Sequence, residues 1–194
     1  MARARASLGR AHRGIWIWWS AALVVALVGC SSAPERPPAN GPGPHFKIGQ
    51  PYRINGTWYF PEFMTEYEAV GIASWYGHSY HGRPTANGEV YDMYALTAAH
   101  PTLQLPSVVE VVNLENGRSL VLRVNDRGPF VGNRLIDLSL AAARELGFER
   151  QGLAQVQVRY LGLARLDEAT IRPGEDRQYA TLSCELPKPE RLVC

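Results

Sequence analysis

Two carboxylates lie where predicted strands give way to short loops. Glu89 lies in the turn "TANGEVYD", residues 85–92, and Asp126 follows a hydrophobic strand in "VNDRGPF". Cleavage of a glycosidic bond needs a carboxylic acid to protonate the leaving oxygen and a second group to manage the developing positive charge. We therefore predict that Glu89 faces a sugar-binding groove and that folding brings Asp126 to the same cleft. Each acid also has an ordinary explanation as a turn residue that binds nearby backbone amides.

Aromatic and imidazole side chains surround these acids in the sequence. Trp75 and Tyr76 precede Glu89, and their rings could stack on sugar faces or could belong to the core. His100 in "LTAAHPT" is expected either to be a neutral donor that orients a carboxylate or the substrate, or to be a satisfied structural histidine. Because His78 and His81 lie three apart in a glycine-broken loop, their spacing does not favour a metal site, and we expect neither metal nor cofactor.

The segments that must position these residues are mostly short strands. Strands are predicted in "VGIASWYG", "RLIDLS" and "LAQVQVRYLG", and a hairpin is predicted around Asn116-Gly117. A second small hairpin or extended arm is predicted around Asn55-Gly56. One helix, "SLAAARELG", has Ser139 to cap its first turn and Gly147 to end it. Short strands with glycine-rich turns and one helix favour a mainly β fold, a closed barrel.

The first thirty residues have the pattern of an export signal. An arginine-rich start precedes "IWIWWSAALVVALVG", which is shorter than the roughly 20 residues of a membrane-spanning helix. "LVGC" then resembles a lipobox, which makes Cys30 the lipidation site and residues 1–29 a removed signal peptide. Ser31 after the cysteine suggests the outer membrane, facing the periplasm. In that oxidising compartment, a disulfide between Cys184 and Cys194 is expected.

Composition also bears on binding partners and on the division of the chain into regions. The net charge of +2 over 194 residues gives no reason to expect a nucleic-acid partner, and we expect a monomer. The predicted regions are a Pro/Gly-rich linker over 30–44, an arm over 45–69, a barrel over 70–164 and a tail over 165–194 that wraps the surface or stays mobile.

Several separate motifs resemble the rare lipoprotein A family of bacterial envelope proteins. They are "GIASWYG", "HGRPTANGEVYDM", "LTAAHPTL" and "NGRSLVLRVNDRGPFVGNRLIDLS", from about Gly71 to Gly162. The resemblance implies a six-stranded double-psi β-barrel, shared with expansins, with one or two short helices. It also implies lytic transglycosylase activity on the bond between MurNAc and GlcNAc in peptidoglycan glycan strands, with 1,6-anhydro products and no cofactor.

The same resemblance assigns roles to residues. Asp126, Glu89 and His100 would be catalytic, with Asp126 the expected acid and Glu89 holding the cation or tuning that acid, although the sequence leaves open which carboxylate acts as the acid. Substrate binding is expected to involve Trp75, Tyr76, Thr85, Asn87 and Arg127. Many family members work at the septal ring through a sporulation-related repeat domain, which we do not expect in residues 165–194. The alternative function is a non-catalytic, expansin-like peptidoglycan-binding lipoprotein.

Overall fold

The computed structural model describes residues 43–167 and 171–175. The predicted signal peptide, the lipidation site Cys30, most of the linker, and the pair Cys184 and Cys194 lie outside these residues. Within the described ranges no helix is both long enough and apolar enough to cross a bilayer. The described strands are β1 Tyr52–Ile54, β2 Thr57–Tyr59, β3 Glu68–Tyr76, β4 Thr97–Ala99, β5 Ser107–Asn113, β6 Ser119–Asp126, β7 Arg134–Ser139 and β8 Leu153–Leu163.

Six of these strands close into a barrel in the order β3-β7-β4-β6-β5-β8. The pairs β3 with β7 and β4 with β6 are parallel, and the other neighbouring pairs are antiparallel. The predicted six-stranded double-psi β-barrel is therefore confirmed. Closure leaves no free sheet edge, and it brings strands that are distant in sequence side by side.

Local sequence explains most of these elements. The β-branched runs on either side of Asn116-Gly117 form the antiparallel pair β5 and β6, with Gly117 at a φ of 73°. The helix α1, Leu140–Glu145, begins after Ser139, whose hydroxyl accepts a hydrogen bond from the Ala142 amide at 3.1 Å. Both features confirm the sequence prediction, since turn and capping chemistry are encoded locally.

Two features of the core differ from the sequence prediction. The three residues of β4 are all buried, and this strand was not recognised because it is too short to show alternation. Ile171 is 1% exposed, and its carbonyl accepts a hydrogen bond from the Leu96 amide at 2.7 Å. The prediction that the tail only wraps the surface or stays mobile is wrong at this residue, because burial of one large apolar side chain fixes the segment to the core.

Candidate active site

Glu89 is held inside the barrel wall by a network of charged and amide groups. Arg123 from β6 is 1% exposed, and its Nη2 lies 2.7 Å from Glu89 Oε1. The Arg123 Nε donates to both carboxylate oxygens at 3.2 and 3.1 Å. The side-chain amides of Asn87 and Asn125 donate to Oε1 at 2.7 Å and to Oε2 at 2.9 Å. Both oxygens of the Glu89 carboxylate thus accept hydrogen bonds from protein donors.

This network decides the charge of Glu89. Burial pushes the pKa of Glu89 upward, but the hydrogen bonds and positive charge of Arg123, with the amides of Asn125 and Asn87, hold that pKa below its usual value. A carboxyl group with a lowered pKa is a poor proton donor at neutral pH. Its side chain is 12% exposed, and the ion pair with Arg123, a residue that is close only in the folded chain, draws the carboxylate inward. The predicted place of Glu89 at a sugar-binding groove stays a prediction.

Asp126 has the opposite environment. Its Oδ1 accepts hydrogen bonds from the backbone amides of Ala86 at 2.9 Å and Arg127 at 2.8 Å, and among the described residues Oδ2 accepts none. Burial raises the pKa of Asp126, although the two amides and the charges of Arg127 and Lys47 lower it in part. One oxygen therefore fixes the carboxyl group, while the other can carry a proton.

The turn that contains Glu89 also contacts Asp126. Thr85 and Glu89 close the turn through a hydrogen bond from the Thr85 amide to the Glu89 carbonyl at 2.7 Å, and Gly88 has a φ of 85°. The Ala86 amide of this turn donates to Asp126. The structure thus links Glu89 and Asp126 to one turn, but Glu89 supports the turn from within.

A second carboxyl group with a raised pKa was missed by sequence reasoning. Asp137 on β7 accepts a hydrogen bond from the Ser74 hydroxyl, and Arg134 Nη2 lies 3.4 Å from Asp137 Oδ2. Arg134 also donates to the Ser74 hydroxyl at 2.7 Å. Burial raises the pKa of Asp137, while Ser74 and Arg134 lower it in part. The sequence signal was the repeated spacing Arg-x-x-Asp, which occurs in "RVND" and again in "RLID".

Strand register places the two aspartates on neighbouring parts of the barrel. Ala99 of β4 pairs with Asp126 on one side and with Asp137 on the other. Two strand spacings separate their backbones by about 10 Å, and residues paired in register project to the same side of a sheet. Ala99 carries only a methyl group, so little side chain lies between the two carboxyl groups.

Tyr76 joins these two aspartates. Burial raises the pKa of the Tyr76 phenol, and the negative charges of Asp126 and Asp137 raise it further. The Tyr76 hydroxyl is buried without a hydrogen bond of normal geometry in the described residues, although the Thr97 hydroxyl is near enough to act on its pKa. Its ring stacks on Tyr91 with centroids 4.2 Å apart. The Tyr76 hydroxyl is thus a buried polar atom without a hydrogen-bond partner among the described residues, near enough to both carboxyl groups for their charges to act on it.

His100 lies in the core and uses both of its ring nitrogens. Nδ1 accepts hydrogen bonds from the amides of Thr102 and Leu103 at 3.2 and 3.1 Å, and Nε2 lies 3.0 Å from the Tyr67 hydroxyl. The ring is therefore neutral with its proton on Nε2, and burial lowers its pKa to about 3. At 1% exposure, His100 holds the loop after β4, and these contacts do not support the predicted catalytic role.

The five predicted substrate-binding residues differ in what their polar atoms contact. Thr85 and Asn87 are buried, and the Thr85 hydroxyl donates to Asn87 Oδ1 at 2.8 Å, so both support the turn. The Trp75 indole N–H donates to the Glu149 carbonyl at 3.1 Å. Arg127 donates to the backbone carbonyls of three residues, His100, Leu103 and Ile48. The hydroxyl of Tyr76, the fifth residue, has no hydrogen bond to the described residues. The substrate-binding role of the five residues stays a prediction.

Comparison with known proteins identifies the barrel. Residues 68–158 match the family described as lytic transglycolase. The barrel domain belongs to this family. The matching relatives include proteins named endolytic peptidoglycan transglycosylase RlpA, so the resemblance of this lytic transglycolase domain to the rare lipoprotein A family is confirmed.

Three of these relatives show the extent of the similarity. The Pseudomonas aeruginosa (strain UCBPP-PA14) protein is 47% identical over 77% of this chain and 41% of its own length. The Neisseria meningitidis serogroup A protein is 52% identical over 59% of this chain and 48% of its own length. The Rickettsia bellii protein is 48% identical over 60% of this chain and 53% of its own length. The chain thus spans about half the length of the relatives that it matches, or less.

Two solved structures that resemble this chain have lower sequence identity to it than these relatives. The Streptomyces papain inhibitor is 23% identical with a TM-score of 0.40, and it covers 48% of this chain and 94% of its own. An apo expansin from Clavibacter michiganensis is 20% identical with a TM-score of 0.38, and it covers 53% of this chain and 52% of its own.

Proposed function

We propose that this protein is a lytic transglycosylase that cleaves the β-1,4 bond between MurNAc and GlcNAc in peptidoglycan glycan strands. The proposed substrate is a strand without stem peptides. The observation that carries the proposal is the Asp126 carboxyl group, which is fixed through Oδ1 by two backbone amides, while Oδ2 accepts no hydrogen bond from the residues that the structure describes. A buried carboxyl group with a raised pKa can hold a proton and release it to a leaving oxygen.

The proposed reaction uses Asp126 twice. The protonated Oδ2 donates to the bridging oxygen as the bond from that oxygen to C1 of MurNAc breaks, leaving a positive charge at C1. The C6 hydroxyl of the same sugar then bonds to C1, and its proton returns to the Asp126 carboxylate. The products are a GlcNAc hydroxyl end and a 1,6-anhydroMurNAc end, and no water is consumed.

The neighbouring groups complete this proposal. Asp137 pairs with Arg134, which favours its ionised form, and its negative charge would stabilise the positive charge at C1. From its buried position, the Tyr76 phenol would contribute to the electrostatic environment of the two aspartates. The ion pair of Glu89 with Arg123 would act indirectly, by fixing the turn that supplies the Ala86 amide to Asp126.

An Asp126→Asn variant tests the assignment. Asn keeps an oxygen for the two backbone amides but cannot release a proton at this step, so kcat should fall at least about a hundredfold. Because burial disfavours the ionised aspartate, the variant should be as stable as the wild type, or more stable, at pH 7. The matched control is Asp167→Asn, at a carboxylate with 70% exposure that pairs with Arg165.

The assay is digestion of purified, peptide-free glycan strands, with the products analysed by mass spectrometry. Anhydro ends that disappear in Asp126→Asn but persist in Asp167→Asn are the expected result. Reducing ends would identify a hydrolase instead. Strands that are bound but left intact would favour the expansin-like, non-catalytic alternative and would overturn the enzyme proposal.

We also propose that the protein works as a monomeric lipoprotein of the outer membrane, facing the periplasm and acting at the septal ring. The support for the anchor is the sequence "LVGC" with Ser31 after Cys30. The septal position rests on the resemblance of the barrel motifs alone, because residues 165–194 are not expected to supply the sporulation-related repeat. Acyl chains on Cys30 would supply stable anchoring through two or more buried chains. A Cys30→Ala variant that still fractionates with the outer membrane would contradict the anchor. Fluorescence microscopy of a tagged chain would test the septal position.

A further inference from the structure

A small hairpin before the barrel presents two different faces. Strands β1 and β2 are joined by Asn55 and Gly56, which both have positive φ values, 49° and 85°. This two-residue turn fixes the register so that Arg53 pairs with Trp58. Alternation along the strands then gives two faces. The inner face carries the half-buried Tyr52 and Tyr59, and the outer face carries the exposed Arg53, Trp58 and Phe60.

The inner face attaches the hairpin to the segment that follows Asp126. The rings of Tyr52 and Tyr59 stack with centroids 5.2 Å apart, and both meet Phe130 edge to face at 5.9 and 5.5 Å. The Tyr52 hydroxyl also donates to the Pro101 carbonyl at 2.6 Å. Phe130 lies four residues after Asp126 in the chain. The hairpin therefore packs against the loop that follows the proposed acid.

The outer face is aromatic and open to solvent. Trp58 is 54% exposed and Phe60 is 62% exposed. Their rings are nearly parallel, with an interplanar angle of 26° and centroids 6.2 Å apart. The Arg53 guanidinium lies 6.0 Å from the centre of the Trp58 ring, and its Nε donates to the Gly56 carbonyl at 3.1 Å. The result is an exposed pair of stacked aromatic rings with one cation over the Trp58 ring.

Such a surface suits a sugar chain better than a lipid surface. Flat aromatic rings bind the apolar faces of sugar rings, and an arginine can bind a carboxylate attached to a sugar. Attraction to an anionic bilayer depends on several clustered cations. Lys47 and Arg53, the only Lys and Arg of the arm, are outnumbered by its three glutamates, and the Lys47 amine donates to the Ala86 carbonyl.

We propose that Trp58, Phe60 and Arg53 form an accessory site that binds a carboxylate-bearing glycan strand away from the cleavage point. The proposal rests on the proposed function, because it takes the same strand as the occupant. The inner face of the hairpin attaches this site to the loop after Asp126 through Phe130. A strand long enough to reach both places would be held more tightly than a short fragment at the aspartates.

The test compares the purified full chain with its Trp58→Ala/Phe60→Ala variant. Binding to peptide-free strands of defined length is measured in an Asp126→Asn background, so that no strand is cut. Loss of two stacked rings should weaken binding to long strands about tenfold and leave short fragments unaffected. With Asp126 intact, KM for long strands should rise about tenfold while kcat is unchanged. Leu114→Ala is the matched control, at a residue 45% exposed beyond the other end of β6 from Asp126.

The alternative outcomes are distinct. Equal binding of long strands by the wild type and the double variant would overturn the proposal, as would an equal loss in Leu114→Ala. Binding to vesicles of phosphatidylglycerol that is lost in the double variant, with glycan binding retained, would overturn it in favour of a lipid surface. If the wild type releases no anhydro ends, the proposed function fails, yet strand binding by the two proteins still decides the accessory site.

Discussion

Removing the positive charge of Arg123 should destabilise the barrel far more than removing a surface charge. The Arg123 guanidinium is 1% exposed, and three of its hydrogen bonds reach the Glu89 carboxylate. In Arg123→Met the side-chain volume is nearly kept, but Glu89 retains only the amides of Asn87 and Asn125. A buried charge left without its partner costs about 3–5 kcal/mol, which is a large fraction of the 5–15 kcal/mol stability of a typical domain.

The pH dependence gives this prediction a sign. Because the pKa of Glu89 is lowered in the folded state, its ion pair contributes stability above the unfolded pKa, and this contribution is lost as the pH falls through the folded pKa. In Arg123→Met the folded pKa of Glu89 should rise. The stability difference between wild type and variant should therefore be largest near pH 7 and should shrink as the solution is made acidic.

The assay is urea unfolding of the purified protein at pH 7 and at pH 4, in a double-mutant cycle. Glu89→Gln alone should also destabilise, since it leaves a buried cation. The double variant should be more stable than the sum of the two single losses implies, with a coupling of about 2 kcal/mol or more. Arg159→Met is the surface control, because Arg159 is 55% exposed in its pair with Glu110. Equal losses for Arg123→Met and Arg159→Met would refute the reasoning.

Three further predictions concern neighbouring positions. Tyr67→Phe should lower the unfolding free energy by about 1–3 kcal/mol, because the buried His100 Nε2–H loses its acceptor. The kcat of this variant should be unchanged, and a large drop in kcat would instead support a catalytic role for His100. Gly71→Ala should cost about 1–3 kcal/mol in urea unfolding, because a Cβ there would lie 2.8 Å from the Leu135 Cβ. Ser74→Ala removes a donor to Asp137, so the acid limb of the kcat/KM profile should move to higher pH; an unmoved limb would argue against an ionised Asp137 in the reaction.

The parts of the fold that the sequence could predict are encoded by neighbours in the chain. The Asn55-Gly56 turn, the hairpin of β5 and β6, and the cap at Ser139 each depend on residues within a few positions of one another. The strand β4 was not predicted, because three buried residues are too few to show an alternating pattern. Its place between β6 and β7 follows only from barrel closure.

The site was harder to predict because its decisive contacts join distant segments. Arg123 lies 34 positions from Glu89, and Ser74 lies 63 positions from Asp137. From the sequence, Glu89 and Asp126 were two acids on loops, with Asp126 the expected proton donor by resemblance only. The structure makes them different, because one receives a buried cation and the other receives two backbone amides. Residue type predicted the chemistry, but the environment that sets each pKa is built by non-local packing.

A shift in strand register explains how β6 serves both acids. Along β6, Arg123 and Asn125 are two positions apart and both bind Glu89, so regular alternation would send Asp126 to the opposite side of the sheet. The pairing of β4 with β6 shifts at this point, since Ala98 and Ala99 pair with Val124 and Asp126 and leave Asn125 as the extra residue. A bulge of this kind re-aims the residue that follows it. Asp126 can therefore project to the same side as Arg123.

The pairing of β3 with β7 shifts in the same way, at Leu135 before Asp137. Each parallel pair of the barrel thus uses one extra residue to set its aspartate three positions after a supporting arginine, and the two carboxyl groups end at the same level of the barrel on either side of β4.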